Sequence, residues 1–153
     1  MNSIRYEAVG WGVGELLYED GRLVYHDLPR PRRSDVGVHL HHPLSDRLRT
    51  YFTGARTEFA DVELELDWCT PFQHDALATM RQIPYGEVAT YGEVAALAGY
   101  PNAQRAVGSV CAGNRFPLIV PCHRVVAADG LGSYGSLGTD YKRRLLELED
   151  VVL

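Results

Sequence analysis

The chain has 153 residues, of which 46% are hydrophobic, and a formal net charge of -5. This length allows one ordinary domain or two small ones, each with a modest core. No run approaches the roughly 18 apolar residues of a membrane helix, and the N-terminus lacks the apolar stretch of a secretory signal. We therefore expect a cytoplasmic protein, nucleoid-associated in a bacterium or archaeon, with no membrane partner.

The acidic charge is unevenly distributed along the chain. Residues 1–70 hold 8 Arg against 12 acidic side chains, whereas residues 71–153 hold 7 basic side chains against 8 acidic ones. Residues 94–128 contain three Arg and no Asp or Glu. A local basic face that binds phosphates is therefore compatible with the negative net charge.

The first residues predict strands, because apolar positions alternate along residues 11–17 and 22–28 on either side of a turn at 19–21. We expect these two segments to form a hairpin. Residues 59–66 alternate in the same way and predict a further strand.

A helix is predicted before that last strand. Ser45 is a suitable N-cap for a helix that ends at Gly54. His39, His41 and His42 precede it, but no cysteine or carboxylate stands at ligand spacing beside them, so surface or packing roles are favoured over a metal site.

Two capping boxes mark helices in the second half of the chain. The box at 70–73 opens a helix to about Gln82, and the box at 90–93 opens a short helix that ends at Gly99. A turn is predicted between them at 84–86. The positions of the short helix that are predicted to face inward are Val94, Leu97 and Ala98.

A third helix is predicted to be capped by Asn102, to run through Arg105 and to stop at Gly113. Two short helices around a tight turn are the pattern of a helix-turn-helix, in which the second helix would offer Arg105 to a groove of DNA. Short helix pairs are commoner as packing units, so the pattern alone leaves both readings open.

Three cysteines without paired spacing predict reduced thiols rather than a disulfide framework. Residues 118–120 predict a short apolar strand that ends at Pro121, and Cys122 follows with His123 and Arg124. The polar neighbours favour a reactive Cys122, although cysteine is also a common core residue. Cys69 and Cys111 have no such neighbours and are interpreted as packing residues.

The segment Pro121-Cys122-His123-Arg124-Val125-Val126 closely resembles the 6-O-methylguanine-DNA methyltransferases, also called O(6)-alkylguanine-DNA alkyltransferases. The likeness extends upstream to Gly113-Asn114, Arg105-Ala106-Val107-Gly108 and Thr90-Tyr91, and it covers residues 44–150 well. It implies a mixed α/β fold. Residues 1–66 would form a ribonuclease-H-like domain with a small sheet and a helix, and residues 67–153 a mainly helical domain like a winged helix-turn-helix, which holds the thiol.

The resemblance also implies a function, which is direct reversal of DNA damage. Such a protein transfers a methyl or larger alkyl group from the O6 position of guanine, and less so from O4 of thymine, to its own cysteine after base flipping. The transfer is irreversible and occurs once per molecule. We expect double-stranded DNA with alkylated guanine as the partner, a monomer, and no cofactor. The zinc of some family members uses cysteines near the N-terminus, and because no cysteine precedes Cys69 we expect no metal.

Residue roles follow from the same resemblance. Cys122 would be the alkyl acceptor, His123 its water-linked base, Glu149 the carboxylate that orients this base, Asn114 the brace of the active-site turn, and Tyr91 the donor to the leaving guanine. The residues implied in DNA binding are Arg105, which would fill the gap left by the flipped base, with Tyr91, Ala106, Gly108 and Arg124. The residues implied in the substrate pocket are Pro117, Val125, Tyr134 and Ser136.

Thiol chemistry alone explains only part of such a reaction. At a reference pKa near 8.5, about 3% of a thiol is ionised at neutral pH. Lowering the pKa by about two units raises the thiolate roughly 25-fold but lowers its nucleophilicity about 8-fold, so the net gain is only a few-fold. The rest must come from positioning and from a donor to the leaving oxygen, for which Tyr91 is the candidate.

Two departures from the family pattern bear on specificity. In the loop 132–138, Tyr134 stands one position earlier than the aromatic of most relatives, and Leu137 replaces a usual glycine, which leaves the pocket width open. Ala112 stands where many relatives have a basic residue, which predicts weaker phosphate contact.

Three other readings compete with alkyl transfer and the roles assigned to it. A non-catalytic damage-binding protein on the same scaffold would lack the acceptor, but Cys122 is present. A cysteine hydrolase using Cys122 and His123 is disfavoured, since adjacent side chains on an extended segment point to opposite faces. Glu149 could instead belong to a solvated helix face together with residues 142–144.

Overall fold

A computed structural model describes residues 1–31 and 42–153. The chain divides into two compact units, Met1–Glu65 and Leu66–Leu153. The first combines a small antiparallel sheet with a helix and the second is mainly helical, which confirms the predicted mixed α/β class. The assignment of residues 1–66 and 67–153 to two domains stays a prediction. None of the helices in the described ranges is both long and apolar enough to span a membrane.

The sheet of the first unit contains β1 (Asn2–Ala8), β2 (Gly12–Glu19) and β3 (Arg22–Arg30) in that order. Strands β2 and β3 form the predicted hairpin. Both residues of its turn, Asp20 and Gly21, have positive φ (53° and 77°), which suits the right-handed twist of paired strands. Strand β1 was not predicted, although its buried residues also alternate.

Helix α1 (Pro43–Phe52) begins one turn earlier than predicted. Its N-cap is His42, whose Nδ1 accepts a hydrogen bond from the backbone N–H of Leu44 at 3.1 Å. Pro43 then occupies the first helical position, where its fixed φ suits the helix. The predicted cap, Ser45, is therefore the third residue of the helix. His39 and His41 lie outside the described residues.

The strand predicted at 59–66 does not form. One position of it, Leu64, makes an isolated bridge with Leu23, and the backbone hydrogen bonds on either side are 2.8 Å and 2.9 Å long. Phe59 and Leu64 are both buried. An odd spacing of five cannot place two residues on one face of a regular strand, so packing breaks the alternation.

In the second unit, α2 (Pro71–Met80) and α3 (Tyr91–Leu97) carry the two predicted capping boxes, and both are confirmed. Strand β4 (Ala89–Thr90) leads directly into α3. The buried face of α3 centres on Val94 and Ala95. At 100° per residue, Leu97 falls well away from that face and is 76% exposed, so its predicted inward position was wrong.

Helix α4 (Gln104–Ala112) starts after Ala103 without a side-chain cap. The predicted cap, Asn102, instead lies in the turn before the helix with a left-handed φ of 71°. Asparagine tolerates this conformation better than most residues, which explains its position there. The helix stops at Gly113 as predicted.

The segment before the thiol is a tight turn and not the predicted strand. Leu118 has a left-handed φ of 73°, Pro117 bridges to Val120, and the N–H of Val120 donates to the carbonyl of Phe116 at 2.8 Å. The buried apolar run 118–120 therefore folds back on itself, and apolar character alone could not distinguish the two arrangements.

After this turn, residues Cys122–Arg124 form one turn of 3₁₀ helix, followed by β5 (Val125–Val126), which pairs in parallel with β4. A second 3₁₀ turn, Gly135–Leu137, leads into α5 (Gly138–Leu148). The pairing of β4 with β5 brings the start of α3 close to the residues that follow the thiol.

Candidate active site

The thiol of Cys122 lies at the start of the 3₁₀ turn and is 4% exposed. Asn114, which follows α4, donates from Nδ2 to Cys122 Sγ at 3.1 Å and to the carbonyl of Val120 at 2.9 Å. Its Oδ1 accepts from the N–H of Phe116 at 2.8 Å. One amide side chain thus holds both the turn and the sulfur.

Burial raises the pKa of the Cys122 thiol above its ordinary value. Hydrogen bonds from Asn114 and Tyr134 and the positive charge of Lys142 act in the opposite direction without reversing the shift. The resting sulfur is therefore a protonated thiol, and a base must remove its proton before it can act as a nucleophile.

His123, the residue after Cys122, forms a buried pair with Glu149. His123 Nε2 lies 2.7 Å from Glu149 Oε2, and both side chains are fully buried. The other ring nitrogen, Nδ1, is buried and has no hydrogen-bond partner among the described residues. This nitrogen is free to accept a proton when the ring is neutral.

Glu149, the C-cap of α5, accepts further hydrogen bonds from the residue after His123 and from a distant loop. Arg124 donates to it from Nε at 2.9 Å and from Nη2 at 3.1 Å, and the backbone N–H of Gly86 donates at 3.0 Å. A carboxylate with this many charged and backbone donors is fixed in position and strongly favours its ionised form.

The pKa shifts agree with this geometry. Burial alone would raise the pKa of Glu149, but the hydrogen bonds and charges of His123 and Arg124 hold it well below the ordinary value. Burial, helped by the charges of Arg124 and Lys142, lowers the pKa of His123 even though Glu149 opposes the shift. At neutral pH the pair is thus a carboxylate and a neutral imidazole.

A buried cation, Lys142, lies within electrostatic reach of both Cys122 and His123. Lys142 of α5 is completely buried, and its Nζ donates to the carbonyls of Val125 at 2.6 Å and Ser133 at 3.1 Å. The same Nζ lies 5.7 Å from the centre of the Tyr91 ring. Burial lowers the pKa of Lys142, and the two thiols Cys111 and Cys122 raise it.

Tyr91, the first residue of α3, is half-buried beside this cation. Burial raises the pKa of its phenol, and a hydrogen bond with Ser133 lowers it. Gly132 allows this packing, because a Cβ there would lie 2.9 Å from the Tyr91 hydroxyl oxygen. The phenol therefore keeps its proton and can donate it.

Together these groups provide a nucleophile, a base held by a carboxylate, and a protonated phenol. Within residues 1–31 and 42–153 there is no group of three or more His, Cys, Asp or Glu side chains that could hold a metal ion. The chemistry that these residues support is attack by a thiol with proton transfer at both ends of the reaction.

Comparison with known proteins places this arrangement in a family. Residues 71–151 match the sequence profile described as "6-O-methylguanine DNA methyltransferase, DNA binding domain". The chain belongs to the 6-O-methylguanine-DNA methyltransferase family. The match covers more than half of the chain and includes Cys122, His123, Asn114 and Glu149.

Individual relatives agree with the family match. The methylated-DNA–protein-cysteine methyltransferase of Metallosphaera sedula is 38% identical over 140 residues, which cover 91% of this chain and 87% of that protein. A protein of the same name from Mycobacterium tuberculosis is 50% identical over 105 residues, which cover 68% of this chain and 62% of that protein. The aligned part thus spans under two thirds of the mycobacterial protein.

Among solved structures, the crystal structure of Mycobacterium tuberculosis OGT in complex with DNA superposes with a TM-score of 0.80 and 37% sequence identity. The likeness covers 98% of this chain and 93% of that chain. With this coverage the likeness extends to both units of the chain.

The structure brings together five residues predicted for catalysis. Cys122 and Asn114 are hydrogen-bonded, His123 and Glu149 are hydrogen-bonded, and Tyr91 lies within electrostatic reach of the thiol. The 3₁₀ turn also shows that the argument against a cysteine hydrolase started from a wrong premise, because Cys122 and His123 do not lie on an extended segment. Their relative orientation therefore gives no argument against a cysteine hydrolase.

Three residues predicted for DNA binding lie on α4. Arg105 and Ala106 are exposed, and Gly108 is partly exposed with open space where a Cβ would be. Arg124 is different, since it is 6% exposed and its guanidinium is bonded to Glu149. The structure does not support the DNA-binding role predicted for Arg124.

The predicted pocket residues are less uniform. Pro117 is partly buried in the tight turn, and Tyr134 is buried with its ring stacked 6.4 Å from that of Tyr141. The Val125 carbonyl accepts a hydrogen bond from Lys142 Nζ at 2.6 Å, which leaves one lone pair of this oxygen for another donor. The side chain of Ser136 lies outside the described part of the structure.

The sequence analysis assigned no role to Lys142 and named residues 142–144 only in the alternative reading of a solvated helix face. A signal was present: Lys142, Leu145, Leu146 and Glu149 recur at helical spacing and are all buried. A lysine within the apolar stripe of an amphipathic helix indicates a buried role. Cys111 does pack as predicted, with its sulfur 3.5 Å from that of Met80.

Replacing Asn114 should make the thiol less acidic. The Asn114→Ala variant loses the donor to Cys122 Sγ and the brace on the Val120 carbonyl, so the pKa of Cys122 should rise further. The alkylation of Cys122 by iodoacetamide, followed by peptide mass analysis as a function of pH, should therefore become slower at neutral pH. Asn2→Ala on β1 is the control, and an unchanged alkylation profile in Asn114→Ala would contradict the assignment.

The buried imidazole should also make stability depend on pH. Because the pKa of His123 is lower in the folded state than in the unfolded one, its stabilising contribution is present above about pH 6.5 and is lost as the pH falls below that value. Urea unfolding between pH 8 and pH 5 should show a smaller loss of stability in His123→Gln than in the wild type. The exposed His74 gives the matched variant, His74→Gln, and equal losses in all three proteins would refute the prediction.

Proposed function

We propose that this methyltransferase-family chain repairs DNA by moving a methyl or larger alkyl group from the O6 position of guanine to Cys122. Transfer from O4 of thymine would be slower. Each molecule acts once, as a monomer on double-stranded DNA, and needs no cofactor. The observation that carries the proposal is the buried Cys122, held by Asn114, followed in the chain by a buried His123 that is hydrogen-bonded to Glu149.

The proposed step is a nucleophilic displacement at carbon. His123 Nδ1 takes the proton of Cys122 through a bridging water, and the Sγ–carbon bond forms as the carbon–O6 bond breaks. The electron pair of the broken bond stays on the guanine oxygen, and Tyr91 supplies a proton to the base. The proton on His123 then returns through solvent to Tyr91. The products are an S-alkylcysteine and unmodified guanine.

Because the pKa of Cys122 is raised, the thiol is protonated at rest, and the base His123 has to remove its proton. The donor Tyr91 has a separate task, which is to supply a proton to the leaving guanine. General acid and base groups each contribute about 10²–10⁴-fold when they are correctly placed. A buried, dry site also makes their charges more effective than in water. Neither group needs to lower the resting pKa of the thiol, since each acts as the bonds rearrange.

Burial of Cys122 implies that the damaged nucleotide leaves the base stack and enters the site. The residue Cys122 is 4% exposed, whereas the O6 of a stacked guanine lies inside the duplex. Turning the nucleotide out costs a few kcal/mol, and less for a damaged pair. We assign Arg105 to the gap that the base leaves, because it is exposed on α4, the second helix of the helix-turn-helix pattern.

Gly108 supports a close approach of α4 to DNA. A glycine inside a helix costs about 0.5–1 kcal/mol relative to alanine. Apart from its chain neighbours and the backbone of its own helix, no heavy atom of the described chain lies within 4 Å of the Cβ position at Gly108, so packing against other parts of the chain gives no reason for the glycine. A DNA backbone lying directly against the helix would give one.

Exposure to a methylated duplex should leave one methyl group on each protein molecule. Intact-protein mass spectrometry after incubation with excess duplex containing 6-O-methylguanine should show this single addition, and peptide analysis should place it on Cys122. Cys122→Ser should gain nothing, and Cys111→Ser should behave as the wild type. Repeated turnover with Cys122 unmodified, or duplex binding without any mass change, would refute the proposal, and the latter would favour a damage-binding protein.

Gly108→Ala should change stability and DNA binding in opposite directions. Urea unfolding should show about 0.5–1 kcal/mol of added stability, because alanine is the better helix former. Titration with an unmodified duplex should show weaker binding, since the added methyl group would separate the helix from the DNA backbone. Arg105→Ala is the comparison, with slower transfer from duplex and unchanged stability. Added stability without any loss of duplex affinity would contradict the proposed approach of α4.

A further inference from the structure

The side chain of Arg124 is enclosed on every side that carries a donor. Its Nε and Nη2 donate to the two oxygens of Glu149 at 2.9 Å and 3.1 Å, and its Nη1 donates to the carbonyl of Ile83 at 2.7 Å. The guanidinium carbon also lies 5.7 Å from the centre of the Tyr85 ring. With 6% exposure, this group has no free edge for a phosphate.

The two-pronged contact fixes the plane of the carboxylate. A bidentate guanidinium–carboxylate pair is stronger and more directional than a single hydrogen bond. Glu149 Oε2 is shared between Arg124 Nη2 and His123 Nε2, so the orientation of the carboxylate determines that of the imidazole. Rotation of the carboxylate would move His123 Nδ1 away from its task beside Cys122.

Charge is the second effect of Arg124. A histidine that faces a carboxylate alone is driven towards the imidazolium form, which cannot accept a further proton. The groups that face His123 are Glu149, which favours imidazolium, Arg124 and Lys142, which oppose it, and the adjacent Cys122. Burial also opposes the charged form. Arg124 therefore offsets the effect of the carboxylate that it orients.

We propose that Arg124 is a positioning residue of the alkyl-acceptor site, which orients Glu149, and through it the His123 ring, by its two-pronged contact, and that it does not contact DNA. This inference rests on the proposed function, because it assigns the neutral imidazole to removal of the Cys122 proton. It also explains an arginine directly after the histidine, where a surface residue would serve no purpose.

The experiment compares Arg124→Gln, Arg124→Lys and the wild type, with the exposed Arg143→Gln as the matched control. Three quantities are measured: the titration of the His123 ring by NMR, with its signals assigned by their loss in His123→Gln; the single-turnover rate with free benzylguanine from pH 5 to pH 9; and the affinity for an unmodified duplex. The titration needs no activity, so it separates the role of Arg124 from the proposed function.

In Arg124→Gln the His123 ring should titrate at higher pH than in the wild type, because a group that lowers its pKa is gone while Glu149 remains. The acid limb of the rate profile should move to higher pH with it. The rate at neutral pH should fall about ten- to a hundredfold, since the base is misplaced rather than removed. Duplex affinity should stay within about twofold, a difference of only about 0.4 kcal/mol.

Arg124→Lys separates charge from geometry and carries the test if Arg124→Gln fails to fold. Lysine keeps the positive charge but cannot make the two parallel hydrogen bonds of a guanidinium. His123 should therefore titrate near its wild-type pH while transfer is slowed. An unchanged His123 titration in Arg124→Gln, or a loss of duplex affinity that Arg143→Gln does not share, would overturn the inference. If the wild type transfers no alkyl group, the proposed function fails, whereas the titration still tests the effect of Arg124 on His123.

Discussion

The buried carboxylate of Glu149 is the interaction on which the second unit of this protein depends. It stands at the end of α5 and accepts hydrogen bonds from His123, from Arg124 and from the backbone of Gly86. Three segments that are distant in sequence therefore meet at this carboxylate: α5, the 3₁₀ turn with His123 and Arg124, and the loop at Gly86. An unpaired buried charge is among the most destabilising features that a protein can contain, so each donor stabilises the fold as well as the site.

This constraint makes the acceptor site rigid and its thiol inert at rest. Burial keeps Cys122 protonated, while Asn114 and Lys142 reduce the cost of ionising it without removing that cost. Under the proposed single transfer, an inert resting thiol would be an advantage, since a permanently ionised cysteine would react with other electrophiles. In that proposal, reaction starts only when a substrate enters, excludes water and brings its leaving group within reach of Tyr91.

Local signals in the sequence predicted the features that depend on a few adjacent residues. The capping boxes at Thr70 and Thr90 form because each needs only two residues, three positions apart, whose side chains bond to each other's backbone N–H. The turn before Cys122 and the irregular segment around Leu64 could not be predicted in this way, because apolar runs fit a strand or a packed turn equally well. The catalytic set came from the motif, whereas the burial of Lys142 and Arg124 depends on contacts between distant segments.

The central claim is that Glu149 makes His123 a base for Cys122. Its most direct test is the single-turnover rate of methyl transfer in Glu149→Gln, measured with a methylated duplex after NMR has shown that the variant is folded, with the α5 variant Glu147→Gln as control. We expect a rate about a hundredfold lower than that of the wild type, within the range of a lost general base, with duplex affinity retained. A rate within about twofold of the wild type would contradict the account.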